Sequence, residues 1–189
     1  PHTCPVGKYS IEYGKTNYND TCLVDCPMGR YGKSTDQSII CQYCPEGRYG
    51  NVNGTKSLAE GCGQQCTFGK YGVALGSINV DMACEDCPGG RYGTKTGGNN
   101  VESGCAHSCV PGRYGNIKGE ISLIGACPNQ CDKGHYGTDS GATDSDVCVE
   151  CDAGRYKNST GGGIEACIPC DIGKYNSASG STKYERCLT

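Results

Sequence analysis

The chain has 189 residues, a formal net charge of −3 and 18 cysteines, but only 25 leucine, isoleucine, valine and phenylalanine residues. So few aliphatic side chains exclude a conventional hydrophobic core for a protein of this length. The near-balanced charge gives no reason to expect nucleic acid or an anionic membrane as a partner, and no apolar stretch is long enough for a transmembrane helix.

A six-residue phrase recurs along the whole chain: Cys, two variable residues, Gly, a basic residue and Tyr. Successive phrases start 18 to 22 residues apart, and a second cysteine follows each starting cysteine after 15 to 18 residues. This periodicity predicts an array of small repeats instead of one globular domain. In chain order we number them repeats 1 to 9, spanning residues 4–22, 26–41, 44–62, 66–84, 87–105, 109–127, 131–148, 151–167 and 170–187.

The cysteines allow two chemical interpretations. Cys41, Cys44, Cys62 and Cys66 have roughly the spacing of a zinc ribbon. Eighteen thiols cannot be divided into sets of four, however, and only three histidines are available to complete such sets. We therefore favour a disulfide scaffold in an oxidising compartment. Because the sequence starts at Pro1 without a signal-like segment, we expect a mature or excised part of a secreted product.

Repetition narrows the disulfide pairing to a few registers. Pairing within the close pairs, such as Cys41 with Cys44, or interleaved pairing, such as Cys26 with Cys44, leaves Cys4 and Cys187 without partners. A forward register, in which each starting cysteine bonds to the cysteine that closes its own repeat, uses every cysteine. Its pairs are Cys4–Cys22, Cys26–Cys41, Cys44–Cys62, Cys66–Cys84, Cys87–Cys105, Cys109–Cys127, Cys131–Cys148, Cys151–Cys167 and Cys170–Cys187.

Within a repeat, the residues predict a hairpin folded over its own disulfide. The glycine two residues before each phrase tyrosine suits a positive φ or a tight backbone approach. The tyrosine can then cover the disulfide. The segment just before the closing cysteine is predicted to be extended, and an apolar residue four positions before that cysteine, such as Leu58, Val80 or Leu123, is expected to pack on the tyrosine. The predicted fold class is therefore small disulfide-rich repeats: an elongated array of short β-hairpins and loops with almost no helix.

Several phrases read Cys-Pro-x-Gly-x-Tyr, with the phrase proline present at Pro5, Pro27, Pro45 and Pro88. Each repeat ends at a closing cysteine, and the next begins after two or three residues. With these features, the motif resembles the ephrin-receptor-like cysteine-rich repeats, and more loosely the modules of tumour-necrosis-factor-receptor ectodomains. The chain is also loosely similar to cysteine-rich proteins of mastigonemes, the hair-like filaments of algal flagella. The resemblance implies the architecture, because such repeats occur in receptors, adhesion proteins and filaments alike.

No nucleophile-elbow motif, HExxH motif or phosphate-binding glycine loop occurs in the sequence, so we expect neither an enzyme nor a bound cofactor. The acidic residues Glu85, Asp86, Asp144 and Asp146 could suggest calcium. Calcium requires six or more converging oxygens, and these acids do not recur from repeat to repeat, so we favour solvated loops.

The basic residue before each phrase tyrosine could form a charged stripe for acidic glycans or a partner chain. The alternative, which we favour, is local pairing with the acid before the closing cysteine or stacking of the side-chain stem on a neighbouring ring. The nine residues concerned are Lys8, Arg30, Arg48, Lys70, Arg91, Arg113, His135, Arg155 and Lys174.

Three asparagines satisfy the N-glycosylation rule and lie in predicted loops: Asn19, Asn53 and Asn158. Seven aliphatic residues are present in addition to the one apolar residue that each hairpin needs. Burial against another chain, or between adjacent repeats, would explain their presence. These candidate assembly contacts are Ile39, Ile40, Val73, Leu75, Ile78, Ile121 and Ile124.

The leading hypothesis is a secreted, glycosylated structural protein that polymerises into an extracellular filament of identical chains. Repeats begin within three residues of Pro1 and end two before Thr189, an arrangement that suits head-to-tail assembly. The alternative is a stalk or ligand-binding segment of a receptor or adhesion ectodomain. Identical subunits in a helical lattice would distinguish a filament from a monomer or a complex with a different chain.

Overall fold

The computed structural model describes residues 4–10, 17, 21–34 and 39–189, with the backbone alone at Ile39. Its contacts form two bodies, one comprising Pro1–Asp86 with Lys95–Gly104 and the other Cys87–Thr94 with Cys105–Thr189. Repeat 5 is therefore divided: its hairpin belongs to the second body, and its central loop belongs to the first.

Each hairpin pairs the basic-Tyr segment of one phrase with the residues around and just after the cysteine that closes the same repeat. All the pairs are antiparallel, and Tyr175 pairs with Leu188 as an isolated bridge in repeat 9. The strands pair as β1 Lys8–Tyr9 with β2 Val24–Asp25, β3 Arg30–Ser34 with β4 Ile39–Tyr43, β5 Arg48–Tyr49 with β6 Gln64–Gln65, β7 Lys70–Gly72 with β8 Cys84–Asp86, β9 Arg91–Tyr92 with β10 His107–Ser108, β11 Arg113–Tyr114 with β12 Asn129–Gln130, β13 His135–Gly137 with β14 Cys148–Glu150, and β15 Arg155–Tyr156 with β16 Ile168–Pro169.

Short helical turns precede the closing cysteines. One-turn α-helices lie at Leu58–Gly61, Val80–Ala83, Val101–Gly104 and Leu123–Ala126, and 3-10 turns lie at Ser145–Val147, Ile164–Ala166 and Tyr184–Arg186. The expectation of an extended segment around Leu58, Val80 and Leu123 was therefore wrong. Each of these residues follows a polar N-cap, which stabilises the first turn of a helix.

The N-caps show why these segments turn. The Ser57 hydroxyl accepts a hydrogen bond from the Glu60 backbone amide at 3.3 Å, and the Asn79 side-chain oxygen Oδ1 accepts one from the Met82 backbone amide at 3.0 Å. Ser122 caps its helix in the same way. A single turn contains too few residues for a 3.6-residue apolar period, so the pattern of apolar residues did not predict it.

Nine disulfides use every cysteine of the chain, and 14 of the 18 cysteines are buried. They join the pairs of the forward register: Cys4–Cys22, Cys26–Cys41, Cys44–Cys62, Cys66–Cys84, Cys87–Cys105, Cys109–Cys127, Cys131–Cys148, Cys151–Cys167 and Cys170–Cys187. The two cysteines of each disulfide are 15 to 18 residues apart in the sequence. A loop of this size stabilises a fold by about 3 kcal/mol on chain-entropy estimates.

The phrase tyrosine of one repeat packs against the disulfide of the next. In the first body, Tyr49 of repeat 3 lies with Val80 against the buried cluster of Cys66, Cys84 and Ala83 in repeat 4. In the second body, Tyr92 of repeat 5 packs in the same way against the buried cluster of repeat 6. Tyr49 and Tyr92 therefore couple successive repeats, whereas the sequence suggested that each tyrosine covers the disulfide of its own repeat.

All nine phrase glycines have a positive φ, between 72° and 93°, as the sequence predicted. A second series, which we call the loop glycines, lies five residues after the phrase tyrosine in repeats 3 to 9 and also has positive φ. The two series meet: a Cβ on Gly7 of repeat 1 would lie 2.5 Å from the Gly54 carbonyl oxygen of repeat 3. Each such contact skips one repeat.

Backbone hydrogen bonds hold each loop glycine to the intervening repeat as well. The Gly54 amide donates to the Cys26 carbonyl at 2.8 Å, and Gly141 donates in the same way to Cys109. The loop of one repeat therefore sits in a niche built by the two repeats before it. This interlocking is independent of any aliphatic core.

Candidate functional site

The basic residues of the phrases have local partners. Arg113 Nη1 donates to the carbonyl oxygen of the closing Cys127 at 3.1 Å, and Arg155 donates to that of Cys167 at 2.7 Å. The corresponding arginines of repeats 3 and 5 make the same bond. The arginines of repeats 3, 5, 6 and 8 thus each bind a backbone carbonyl of their own hairpin.

The lysines of the phrases use a different partner. Lys8 pairs with Asp25 and Lys70 with Asp86, which lie directly opposite them across their hairpins. Local pairing was expected, but with an acid before the closing cysteine, whereas these acids follow it. Opposite charges at directly facing positions stabilise a two-stranded ladder more than charges displaced along the loop.

Aromatic rings are the partners in repeats 2 and 9, whereas His135 of repeat 7 has Nδ1 3.3 Å from the Lys133 carbonyl oxygen. The Arg30 guanidinium lies 3.8 Å from the centre of the Tyr43 ring and also bonds to its hydroxyl. Lys174 lies 4.4 Å from the centre of the Tyr184 ring, and its hydrogen bond to the Tyr184 hydroxyl raises the pKa of Lys174. These contacts match the stacking that the sequence suggested.

The acidic residues considered as calcium ligands make contacts in different places. Glu85 accepts a hydrogen bond from the Tyr71 hydroxyl, which raises the pKa of that phenol, and Asp86 pairs with Lys70. Asp144 caps the 3-10 turn that contains Asp146. Within the described part of the chain, no three or more His, Cys, Asp or Glu residues are grouped so as to hold a metal ion.

A lysine of the second body is fully buried. Lys157 stands after the phrase tyrosine, where six of the nine repeats have glycine. Its Nζ donates to the carbonyl oxygens of His135 at 2.7 Å and Ser159 at 2.9 Å. Burial lowers the pKa of Lys157, and the charge of Asp132 opposes this effect. The buried lysine was not predicted, although the replacement of glycine by lysine at this position is visible in the sequence.

The candidate assembly residues lie in different environments. Ile121 and Ile124 are 54% and 73% exposed, although their neighbour Leu123 packs into the buried cluster of repeat 6. Val73 is also exposed, whereas Ile78 is half-buried beside Gly29 of repeat 2. Ile78 therefore packs between repeats, and the Ile39 side chain lies outside the described residues.

Two of these residues come together in a groove of the first body. Ile40 and Leu75, from repeats 2 and 4, line a concavity of about 530 Å³ with the rings of Tyr31 and Tyr43. The amide of Gln42 lines the same groove. Its Oε1 is buried without a hydrogen-bond partner among the described residues.

The sequons are only partly accessible. Asn53 and Asn158 are exposed, and Asn19 lies outside the described residues. The Thr55 hydroxyl of the Asn53 sequon is buried and donates to the Arg30 carbonyl at 3.2 Å. The Thr160 hydroxyl of the other sequon donates to Gln130 at 2.7 Å.

The geometry offers a cross-linked scaffold with apolar surface patches. None of the helices in residues 21–34 and 39–189 is long and apolar enough to cross a membrane. The chain matches no model of a known protein family, and no curated protein sequence is significantly similar to it. Functional inference therefore depends on the surface of the molecule itself.

Proposed function

We propose that this chain is a secreted structural protein that assembles with identical copies into an extracellular filament. The observation that carries the proposal is the exposure of aliphatic side chains in a protein that has very few of them. Ile124 is 73% exposed immediately beside the half-buried Leu123, which packs on the buried cluster of repeat 6 in its place. Burial against another copy gives such residues a role.

The disulfide content supports the proposed location. Nine intrachain disulfides are typical of proteins that fold in an oxidising compartment and remain in an oxidising environment. A chain whose repeats are each cross-linked and docked on their predecessors resists proteolysis and tension, which suits an extracellular scaffold. We expect N-linked glycans at Asn19, Asn53 and Asn158 in material from the native source, and unmodified peptides at all three would refute this part of the proposal.

Electron microscopy of the purified protein tests the assembly directly. We expect filaments from the natural chain, and soluble monomers when Ile121 and Ile124 are both replaced by Asp, because a charged carboxylate is costly in an apolar contact. Non-reducing peptide mapping should find all nine disulfides in the variant. The matched control replaces by Asp the exposed Ile164 of repeat 8 and the exposed Ile168, which follows the closing cysteine of that repeat, and should still form filaments.

Two results would overturn parts of the proposal. A natural chain that stays monomeric at every concentration, or that binds only a different protein, would exclude the filament. Filaments of unchanged length from the Ile121/Ile124 variant would instead place the subunit contact elsewhere on the surface.

The groove of repeats 2 to 4 favours a second candidate function. The concavity of about 530 Å³ is lined mostly by apolar and aromatic residues, with the Gln42 amide and Lys33 as its polar groups, which is a composition typical of small ligand-binding sites. It would suit the ligand-binding segment of a receptor or adhesion ectodomain. A Tyr43→Ala change that abolishes binding to cells but leaves assembly intact would support this candidate.

A further inference from the structure

The sequon at residues 53–55 lies in the loop of repeat 3, and its two required side chains differ in access. Asn53 is exposed, whereas Thr55 is only 6% exposed. The Thr55 hydroxyl donates to the Arg30 carbonyl oxygen of repeat 2 at 3.2 Å. A Cβ on Gly61 would lie 2.3 Å from the Thr55 Oγ1 atom, so the helical turn of repeat 3 packs directly against the hydroxyl. The asparagine therefore faces solvent while the hydroxyl of its sequon is enclosed.

The backbone around Thr55 is held by the two preceding repeats. The Gly54 amide donates to the Cys26 carbonyl oxygen, and the Gly32 amide donates to the Thr55 carbonyl oxygen, both at 2.8 Å. The Gly54 carbonyl oxygen also lies 2.5 Å from the Cβ position of Gly7 in repeat 1. The Thr55 hydroxyl becomes accessible only when this loop leaves the surface formed by repeats 1 and 2, a state that we call undocked.

The sequon at residues 158–160 of the second body is open by comparison. Asn158, Ser159 and Thr160 are all exposed. Lys157 holds the Ser159 carbonyl oxygen, but the Thr160 hydroxyl makes its 2.7 Å bond to the Gln130 side chain at the surface. Water or an enzyme can replace such an exposed bond at little cost, because the hydroxyl exchanges one partner for another.

N-glycosylation uses both required side chains of a sequon. The asparagine amide nitrogen forms a bond to the anomeric carbon of a lipid-linked oligosaccharide, the bond from that carbon to the lipid diphosphate breaks, and the nitrogen gives up one proton. The third position must be Ser or Thr, so the transferring enzyme has to reach that hydroxyl as well as the amide. A sequon whose hydroxyl is enclosed therefore reacts only after a local opening.

We propose that Asn53 accepts a glycan only while the loop of repeat 3 is undocked, whereas Asn158 accepts one in the folded chain as well. This inference rests on the proposed secretion, which brings the chain to the enzyme and its lipid-linked donor. At Asn53, glycan transfer and docking of the loop compete. A glycan that is added first does not block docking, because the Asn53 side chain is exposed in the docked loop.

Glycan transfer to the purified chain tests the contrast. Unglycosylated protein, made in a host without N-glycosylation and oxidised to all nine disulfides, would be incubated with a single-subunit oligosaccharyltransferase and a lipid-linked oligosaccharide. Glycopeptide mass spectrometry should find the glycan at Asn158 and little at Asn53. A reduced and alkylated sample should accept glycans at both sites, with occupancy at Asn53 higher by about tenfold or more, because no opening is then required.

A substitution outside the sequon tests whether docking controls the site. Gly7→Ala places a Cβ against the Gly54 carbonyl oxygen, so the oxidised variant should accept a glycan at Asn53. The matched control is Gly90→Ala, since Gly90 also has a positive φ and its Cβ would lie 2.2 Å from the Gly141 carbonyl oxygen in the second body. That variant should leave Asn53 closed. Peptide mapping would verify the nine disulfides of both variants, and the comparison of folded with reduced natural chain depends on neither.

The possible results separate this inference from the proposed function. If the folded natural chain accepts a glycan at both sites or at neither, or if a correctly cross-linked Gly7→Ala chain stays closed at Asn53, the inference is wrong. Native material without any glycan would refute the glycosylation part of the proposed function, yet transfer to the purified chain would still decide the inference. Filament formation is measured separately and depends on neither result.

Discussion

Lys157 of repeat 8 donates a hydrogen bond from Nζ to the carbonyl oxygen of His135 in repeat 7, at 2.7 Å. The side chain is fully buried, and a second bond to the Ser159 carbonyl occupies another of its protons. The amine thus fastens its own loop to the hairpin of the preceding repeat. Burying a charged group in this way is costly, and its lowered pKa records that cost.

We expect Lys157→Met to destabilise the protein by about 1–2 kcal/mol at pH 7, because two carbonyl oxygens lose a donor. The difference should widen as the pH rises. Between the lowered pKa of the folded state and the ordinary value of 10.5, the unfolded chain binds more protons, so the free energy of unfolding of the natural protein increases with pH. Denaturant unfolding from pH 7 to pH 10, followed by tyrosine circular dichroism, measures this change.

Lys95→Met is the control for that experiment, since Lys95 is exposed in the loop of repeat 5. It should track the natural protein at every pH. A constant difference between the natural protein and Lys157→Met across the range would contradict the link between burial and proton release.

Gly134 and Gly154 separate two effects that glycine has in this fold. Their φ values are 79° and 82°, so alanine is strained at both by about 1–2 kcal/mol. Only at Gly134 would the new Cβ also lie 2.2 Å from the Gly180 carbonyl oxygen. In dilute monomer, Gly134→Ala should therefore lose more stability than Gly154→Ala and should speed exchange of the Gly180 amide. Equal losses would show that close approach is unimportant.

The Ser122 hydroxyl accepts the Gly125 amide at 3.2 Å and begins the turn at Leu123–Ala126. Ser122→Ala should cost about 1 kcal/mol, whereas Ser122→Asn, another good N-cap, should be nearly neutral. Hydrogen exchange at the Gly125 amide reports the loss locally. If both variants exchange like the natural protein, the cap does not stabilise the turn.

Mild reduction should open the disulfides in order of access. Cys109 and Cys127 are both fully buried, whereas Cys148 and Cys170 are half-buried in their respective disulfides. Because a thiolate must reach a sulfur to attack it, Cys131–Cys148 and Cys170–Cys187 should react before Cys109–Cys127. Timed alkylation and mass spectrometry measure the order, and simultaneous labelling would indicate a global opening.

The features that every repeat shares could be predicted from the sequence. The forward disulfide pairs and the positive φ of the phrase glycines follow from what every repeat shares. The one-turn helices were missed because Ser57 and Asn79 act on a single turn, which has no measurable period. The loop glycines were also missed, although their constant distance from the phrase tyrosine is visible in the sequence.

The contacts between repeats could not be predicted from the spacing of residues along the chain. Nothing along the chain indicates that Gly7 meets Gly54 instead of the glycine of the next repeat, because both positions have similar surroundings in the sequence. That choice depends on how a hairpin and its disulfide orient the following loop in three dimensions. The partner of Lys157 was hidden for the same reason, since the His135 carbonyl lies in another repeat.

The direction of the loop contacts bears on how the chain acquires its fold during synthesis. Within each body, the loop of a repeat docks on the two repeats that precede it, as Gly54 docks beside Gly7 and Cys26. Each docking surface has therefore left the ribosome before the loop that needs it. The chain can oxidise and settle one repeat at a time as it enters an oxidising compartment, so few free thiols coexist and the correct partner is the nearest one available.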